Sequence, residues 1–195
     1  MLRLCNTPYQ QGHPLPNICT LINNYASLLI DFLAERNLVV SPEKSTVTLF
    51  SPDNRQINLH PEVYIDGCQV KTEKNPKLLG VVFDPLFTFN EHVRLTVKKA
   101  KAKINVLKAL AGSTWGQDQE TLLITYKSIC RSVLEYGCPV WAPVISETSW
   151  TNLQRVQNQA LRVATGSLLM AGIDHLHQET KVLPSNTANY SRTST

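Results

Sequence analysis

Residues 78–108 read LLGVVFDPLFTFNEHVRLTVKKAKAKINVLK, and the reading of this stretch decides the fold. Leu78 to Phe83 is almost wholly apolar, which suits a buried strand better than a half-exposed one. Asp84-Pro85 then punctuates the chain, because proline brings no N–H to a ladder. From Thr88 the period changes. Val93, Val97, Ala100, Ile104, Leu107 and Ala111 recur at helical spacing, and Gly112 ends the run. Thr88 and Glu91 stand at the spacing of a capping box. The sequence predicts a strand, a boundary at Asp84-Pro85, and then a helix.

Upstream, residues 1–19 hold three prolines and little periodicity and read as loop. Leu21, Tyr25, Leu28 and Phe32, with Ile22, Ala26, Leu29 and Leu33 beside them, predict a helix over 20–37. Its apolar face is wide, which predicts deep burial. Thr20 is placed to cap its start and Asn37 to take the left-handed turn at its end. Ser41-Pro42-Glu43-Lys44 reads as a turn and residues 46–50 as a strand. Two short strands are predicted near 62–66 and 68–72, joined at Asp66-Gly67 by a two-residue turn.

Downstream the pattern is helical. A helix over 117–135 would bury Leu122, Tyr126, Ile129 and Val133, and Tyr136-Gly137-Cys138-Pro139 would break it. Another over 147–165 would bury Trp150, Leu153, Val156, Ala160 and Ala164 and stop at Gly166. A short one is predicted over 173–180. The Ser-, Thr- and Asn-rich tail after Pro184 has the composition of a disordered segment. The fold class is α+β: a small antiparallel sheet with a packed helix, followed by a helical bundle.

Composition narrows the function classes. A 43% hydrophobic content in 195 residues is enough for a packed core. A net charge of +4 permits a polyanionic partner without demanding one. Five scattered cysteines, none in C-x-x-C spacing, argue against a disulfide framework and a thiolate zinc site, and favour a reducing compartment. There is no secretory leader pattern and no apolar run of membrane-spanning length, so an intracellular protein, nuclear or cytoplasmic, is expected. The sequon Asn189-Tyr190-Ser191 is then idle. His175, His177 and Glu179 suggest a metal site, but i and i+2 side chains on a helix point about 200° apart, so no metal is expected there. Trp115, Trp141 and Trp150 could stack on bases. Their Leu and Val neighbours favour core anchoring instead.

The charge is concentrated on the helix after Asp84-Pro85. Residues 92–117 carry six of the nineteen Lys and Arg, and no acid occurs between Glu91 and Asp118. The apolar stripe is about 80° wide. Arg94, Lys98, Lys101 and Lys108, with Asn105, share one flank; Lys99 and Lys103 lie on the other. Four cations along about 21 Å of helix match the scale of phosphate spacing. A merely solvated helix more often interleaves Glu with Lys. Arg155 and Arg162 are further candidate phosphate contacts.

Six segments in unbroken order carry a family resemblance: ERNLVVSPEKSTVTLF, NPKLLGVVFDPLFTFNEHV, KALAGSTWGQDQETLLITYKSI, LEYGCPVWAP, LQRVQNQALRVATG and IDHLHQETKVLP. Together they resemble the reverse transcriptase of non-LTR (LINE-type) retrotransposons, most of all the jockey-related group. The resemblance implies a right-hand polymerase of which this chain matches the last part. It implies an irregular segment 1–19, a palm remnant 20–84, a helical thumb-like part 85–183 and a disordered tail 184–195. Lys44 looks like the motif-D lysine that assists the departing pyrophosphate, though a plain turn lysine would look the same. Leu79, Gly80 and Val81 look like the strand that steadies the primer end. The family's Mg²⁺ would need an Ala-Asp-Asp motif whose offset falls near Leu2-Arg3-Leu4-Cys5, where no carboxylate stands. The resemblance therefore implies no catalytic residue and no cofactor on this chain, and no polymerase activity from it alone. What it retains would be non-specific binding of RNA, DNA or RNA–DNA hybrid through backbone phosphates. The upstream polymerase half would be a further partner, and a membrane would not. Two other readings stay open: a helical interaction or assembly module, and a degenerate element product without function.

Overall fold

The computed structural model describes residues 15–53, 56, 58–112, 116–168, 170 and 172–185. Two compact units emerge. One comprises the described residues within Met1–Leu78 together with Asp84–Phe87; the other comprises Leu79–Phe83 together with the described residues within Thr88–Thr195. The α+β class holds.

In the first unit, helix α1 spans Leu15–Ala34, so it begins five residues earlier than predicted, inside the stretch read as loop. Pro16 falls in its first turn, where the missing N–H costs nothing. The Thr20 hydroxyl accordingly does not cap the start but bonds back to the Pro16 carbonyl at 3.0 Å. At the far end Asn37 takes φ 54° as expected, and the Leu38 N–H reaches the Leu33 carbonyl at 3.0 Å.

The expected deep burial of α1 is not observed. Cys19 is its only buried residue, and Tyr25 and Leu28 are 64% and 63% exposed. The reason lies in what the unit offers for packing. Its strands β1 (Thr46–Val47), β2 (Tyr64–Ile65), β3 (Cys68–Gln69) and β4 (Lys71–Thr72) are two residues each. Their buried cluster, Val63, Ile65 and Val70, meets only Ile22 and Ile30 of the helix. The Asn23 amide completes the join, donating to the Glu62 carbonyl at 3.1 Å and accepting the Tyr64 N–H at 2.9 Å.

The pairing has two forms. β2 and β3 are antiparallel across Asp66 and Gly67, whose φ of 50° and 73° make the predicted two-residue turn. β1 instead pairs with β4 in parallel, Thr46 opposite Lys71. Strand 46–50 is thus shorter than expected, and the downstream segment serves two partners. Residues 84–87 belong here: Phe87 stacks on Phe50 at 4.8 Å and the Ser51 N–H reaches the Pro85 carbonyl at 3.3 Å.

Strand β5 is Lys77–Leu78 and β6 is Val81–Val82. Leu79 and Gly80 between them are a turn rather than strand interior, with φ 46° and 89°. Only Val81 and Val82 of the predicted buried strand are actually buried. A run of apolar residues does not by itself distinguish a strand from a hairpin apex, and the permissive φ of Gly80 resolved it toward the turn.

In the second unit, helix α2 spans Asn90–Leu110. It buries Val93, Ala100, Ile104 and Leu107 as expected. The helix begins one residue later than a cap at Thr88 would place it: the cap position is Phe89, in the left-handed region at φ 55°. Phe89 is 2% exposed and packs against Phe83 at 5.4 Å. This hydrophobic contact anchors the chain at the start of the helix.

The predicted helix 117–135 is interrupted. Helix α3 (Gln119–Thr125) runs into a π-helical turn, Tyr126–Arg131, and then α4 (Ser132–Leu134). The wider turn keeps i,i+4 positions in line, so Leu122, Tyr126, Cys130 and Leu134 face the core. Ile129 and Val133, named from the 3.6 period, are only partly buried. Gly137 takes φ 66° and opens α5, Cys138–Trp141. Helix α6, Glu147–Thr165, matches its prediction and ends on Gly166 at φ 68°. Ser146 caps its start by accepting the Ser149 N–H at 3.3 Å. Helix α7 is Ile173–Thr180. Trp141 and Trp150 are core residues 5.9 Å apart, while Trp115 lies outside the described residues. Among the described residues Cys19, Cys68, Cys130 and Cys138 form no disulfide. The tail beyond Ser185 lies outside the described residues. Among the described residues no helix is long and apolar enough to cross a membrane.

Candidate nucleic-acid interface

The cationic flank of α2 is real. Arg94, Lys98, Lys101 and Lys108 are exposed, as are Lys99 and Lys103 on the other side. Arg94 differs from the rest. Its Nε donates to Glu91 Oε2 at 2.7 Å and its Nη2 to Oε1 at 2.6 Å, a two-pronged pair one helical turn apart. Hydrogen bonding from Arg94 holds the Glu91 carboxyl below its ordinary range. The stripe that looked free of acids therefore has its first cation partly neutralised. Among the described residues Lys98, Lys101 and Lys108 make no ion pair.

Packing adds a component from a remote part of the chain. An open groove of about 580 Å³ runs between α2 and α6. Arg94 and Lys101 line it from one side and Arg155 from the other, with Asn90, Asn152 and Gln159 supplying amides. Arg155 reaches Asn152 at only 3.4 Å, a weak hold that leaves its guanidinium available. Arg162 is part-buried and lies outside the groove. Lys98 and Lys108 extend the basic flank without lining the groove.

The Leu79-Gly80 turn is anchored to the same unit. The Tyr136 hydroxyl donates to the Leu79 carbonyl at 2.7 Å. A β-carbon on Gly80 would sit 2.7 Å from the Tyr136 ring, so the glycine permits the approach. Tyr136 is in turn held by the Trp141 indole N–H, which donates to its carbonyl at 2.9 Å. Neither Tyr136 nor the amides of the groove stood out in the sequence. No local pattern marks a tyrosine whose partner is 57 residues away.

Lys44 ends the 3₁₀ turn Pro42–Lys44 in the other unit, exposed and without an ion pair among the described residues. His175 and His177 diverge as helix geometry requires. His175 Nδ1 lies 3.8 Å from Glu179 Oε2. The other ring turns inward, its Nδ1 2.7 Å from the Val182 carbonyl and its Nε2 3.1 Å from Asn158 Oδ1. Among the described residues no three His, Cys, Asp or Glu side chains come together as a metal site. Two buried groups lie apart from the groove. His92 accepts the Val82 N–H at 3.3 Å, and burial, with Lys99 second, lowers its pKa. Burial also pushes the Cys130 thiol up to about 11.

Comparison with known proteins gives these features a context. The chain is 26% identical over 161 residues to the probable RNA-directed DNA polymerase from transposon X-element of Drosophila melanogaster, covering 83% of this chain and 17% of that protein. The resemblance to retrotransposon reverse transcriptases is borne out. A second relative, the probable RNA-directed DNA polymerase from transposon BS of the same fly, is 22% identical over 149 residues, covering 74% of this chain and 16% of that protein. The chain thus spans less than a fifth of the length of these polymerases. No protein-family profile matches it, and no solved structure does.

Proposed function

We propose that this chain binds nucleic-acid backbones, RNA–DNA hybrids among them, as the thumb-like part of a retrotransposon reverse transcriptase. One observation carries the reading: Lys101 and Arg155, from helices far apart in sequence, line one groove beside a flank of exposed lysines that make no ion pair among the described residues. Lys98, Lys101, Lys108 and Arg155 are the main phosphate contacts, and Arg94 is held in reserve by Glu91. Lys99 and Lys103 lie on the opposite flank and contribute at longer range. The Leu79-Gly80-Val81 segment meets the strand end. Recognition by phosphates alone is independent of base sequence.

The test is a salt titration of the affinity for a labelled RNA–DNA hybrid. Three phosphate contacts give a log–log slope of about −3. Replacing Lys98, Lys101, Lys108 and Arg155 by Gln should remove most of that slope. An unchanged slope and affinity in that quadruple variant overturns the reading.

Nucleotide joining by this chain alone is not part of the proposal. Two-metal phosphoryl transfer needs clustered carboxylates, and the stretch Leu2-Arg3-Leu4-Cys5, where the family's motif would fall, carries none. Lys44 is accordingly a turn lysine of the first unit here. Template-dependent primer extension above a heat-inactivated control, with Mg²⁺ or Mn²⁺, would refute this.

A second reading has its own observation. Leu21, Tyr25, Leu28 and Phe32 form an exposed apolar face on α1, of the kind that serves protein contact. The remainder of such a polymerase is the partner that reading admits. Self-association that disappears when Tyr25 and Leu28 become Ser, with hybrid binding intact, would favour it.

A further inference from the structure

The groove between α2 and α6 holds more than cations. Its floor is apolar: Val93 and Val156 are buried and Val97 is half-buried. Asn152, Arg155 and Gln159 stand at i, i+3 and i+7 on α6 and so follow one wall. Among the described residues the Gln159 side-chain amide makes no hydrogen bond, and the Asn152 side chain makes only the 3.4 Å contact with Arg155. Asn90, on the α2 wall, is met by the Ser149 hydroxyl at 3.4 Å. A phosphate oxygen only accepts hydrogen bonds, whereas an amide brings an acceptor as well as donors. Amides over a valine floor are therefore a poor match for a backbone alone. A nucleobase, with an apolar face and an edge of donors and acceptors, uses all of it. Width points the same way. Packed helices stand about 8–10 Å apart between axes. A duplex, whose major groove alone is about 12 Å wide, can lie over such a groove but not in it. A single strand enters. From Asn90 to Lys101 the wall runs about 16 Å, the length of a few nucleotides.

We propose that this groove holds an unpaired stretch of RNA or DNA with its bases turned inward. The bases lie against Val93, Val97 and Val156 and meet the amides of Asn152 and Gln159 with their edges. Arg155 and Lys101 take the phosphates at the rim. This rests on the backbone-binding reading above and adds to it a component that depends on bases.

The test measures the affinity of the full chain, at one salt concentration, for three unstructured single strands with equal numbers of phosphates. One is a mixed-sequence DNA, one is the same DNA with every base removed, and one is the RNA of that sequence. An RNA–DNA hybrid is run beside them. The base-bearing strands should bind about tenfold more tightly than the abasic one, the scale of one well-held base. Replacing Asn152 and Gln159 together by Ala, both at exposed positions, should bring the base-bearing strands down to near the abasic level. Lys101→Gln should weaken all three strands alike. If the wild type binds the three strands equally, or the double variant keeps the full preference, base recognition in the groove is overturned while backbone binding stands. Hybrid binding without single-strand binding overturns it in the same way. A preference confined to the DNA or to the RNA strand supports the proposal for that nucleic acid alone. If neither the strands nor the hybrid bind, the backbone reading fails and this one with it.

Discussion

Glu91 grips Arg94 through both carboxylate oxygens, at 2.6 and 2.7 Å, at the start of the helix that carries most of the chain's basic flank. A cation held this way has less to give a phosphate than a lysine without a partner. Arg94→Gln should therefore weaken hybrid binding less than Lys101→Gln. Glu91→Gln should strengthen it, steepening the log–log salt slope by up to about 0.9, the increment of one phosphate contact. Salt titrations of the three variants decide the matter; an unaltered slope in Glu91→Gln means the pair does not keep Arg94 from phosphates.

Two glycines of the helical unit share a left-handed backbone and differ in surroundings. Gly137 and Gly166 have φ 66° and 68°, but a β-carbon on Gly137 would lie 2.7 Å from Val81 Cγ2, whereas nothing stands within 4 Å of one on Gly166. Gly166→Ala should cost about 1–2 kcal/mol, the backbone term alone. Gly137→Ala adds an overlap with a buried valine and should cost about 1–3 kcal/mol more. Urea denaturation compares them, and equal losses would mean the Tyr136-Gly137 corner is looser than its geometry indicates.

His92 gives the unit a pH dependence. Its ring is 5% exposed and packs 5.7 Å from Trp141, with Nδ1 accepting the Val82 N–H. The proton therefore sits on Nε2, which finds no partner among the described residues. Burial lowers its pKa from the ordinary 6.5, so the unfolded chain binds its proton first. The neutral ring's contribution is complete above pH 6.5 and is lost as the pH falls from there toward the lower folded value. Unfolding free energy should fall between pH 7.5 and 5.5, and His92→Gln should flatten that part of the curve. A slope unchanged by the substitution assigns the loss to other groups.

The end of the described chain is tied down by amides rather than by apolar contacts alone. Gln157, 2% exposed, donates to the Leu183 carbonyl at 2.8 Å and accepts from the Ser185 hydroxyl. Gln154 Oε1 accepts the Ser185 N–H at 2.8 Å. Gln157→Leu fills similar space but takes the partner away from a carbonyl and a hydroxyl. It should destabilise the unit by about 1–3 kcal/mol and speed amide exchange over 182–185. Wild-type exchange there in the variant would show that the neighbouring contacts suffice.

Legibility followed the range of the interaction. Helix α6 was readable end to end, because its apolar period and buried tryptophan lie within its own residues and Gly166 directly follows them. The Asp66-Gly67 turn was readable for the same reason. The burial of α1 was misjudged, since the width of an apolar face says what could be covered and not what is there to cover it. The π-turn at Tyr126–Arg131 moved the core face from Ile129 to Cys130, a shift invisible to a fixed 3.6 period. In the candidate interface the lysines were evident; the Glu91 clasp was implicit in their i,i+3 spacing, and the groove was not readable at all.

The order of residues alone determined the helix-rich second half, its basic flank and the likeness to retrotransposon reverse transcriptases, because periodicity, charge and motif order are properties of neighbours along a chain. Tertiary structure decided that Arg155 shares a groove with Lys101, that α1 keeps its apolar face in water, and that Tyr136 fastens the Leu79-Gly80 turn. Each of these depends on which distant surfaces meet, and burial free energy is settled only when both sides of a contact are in place.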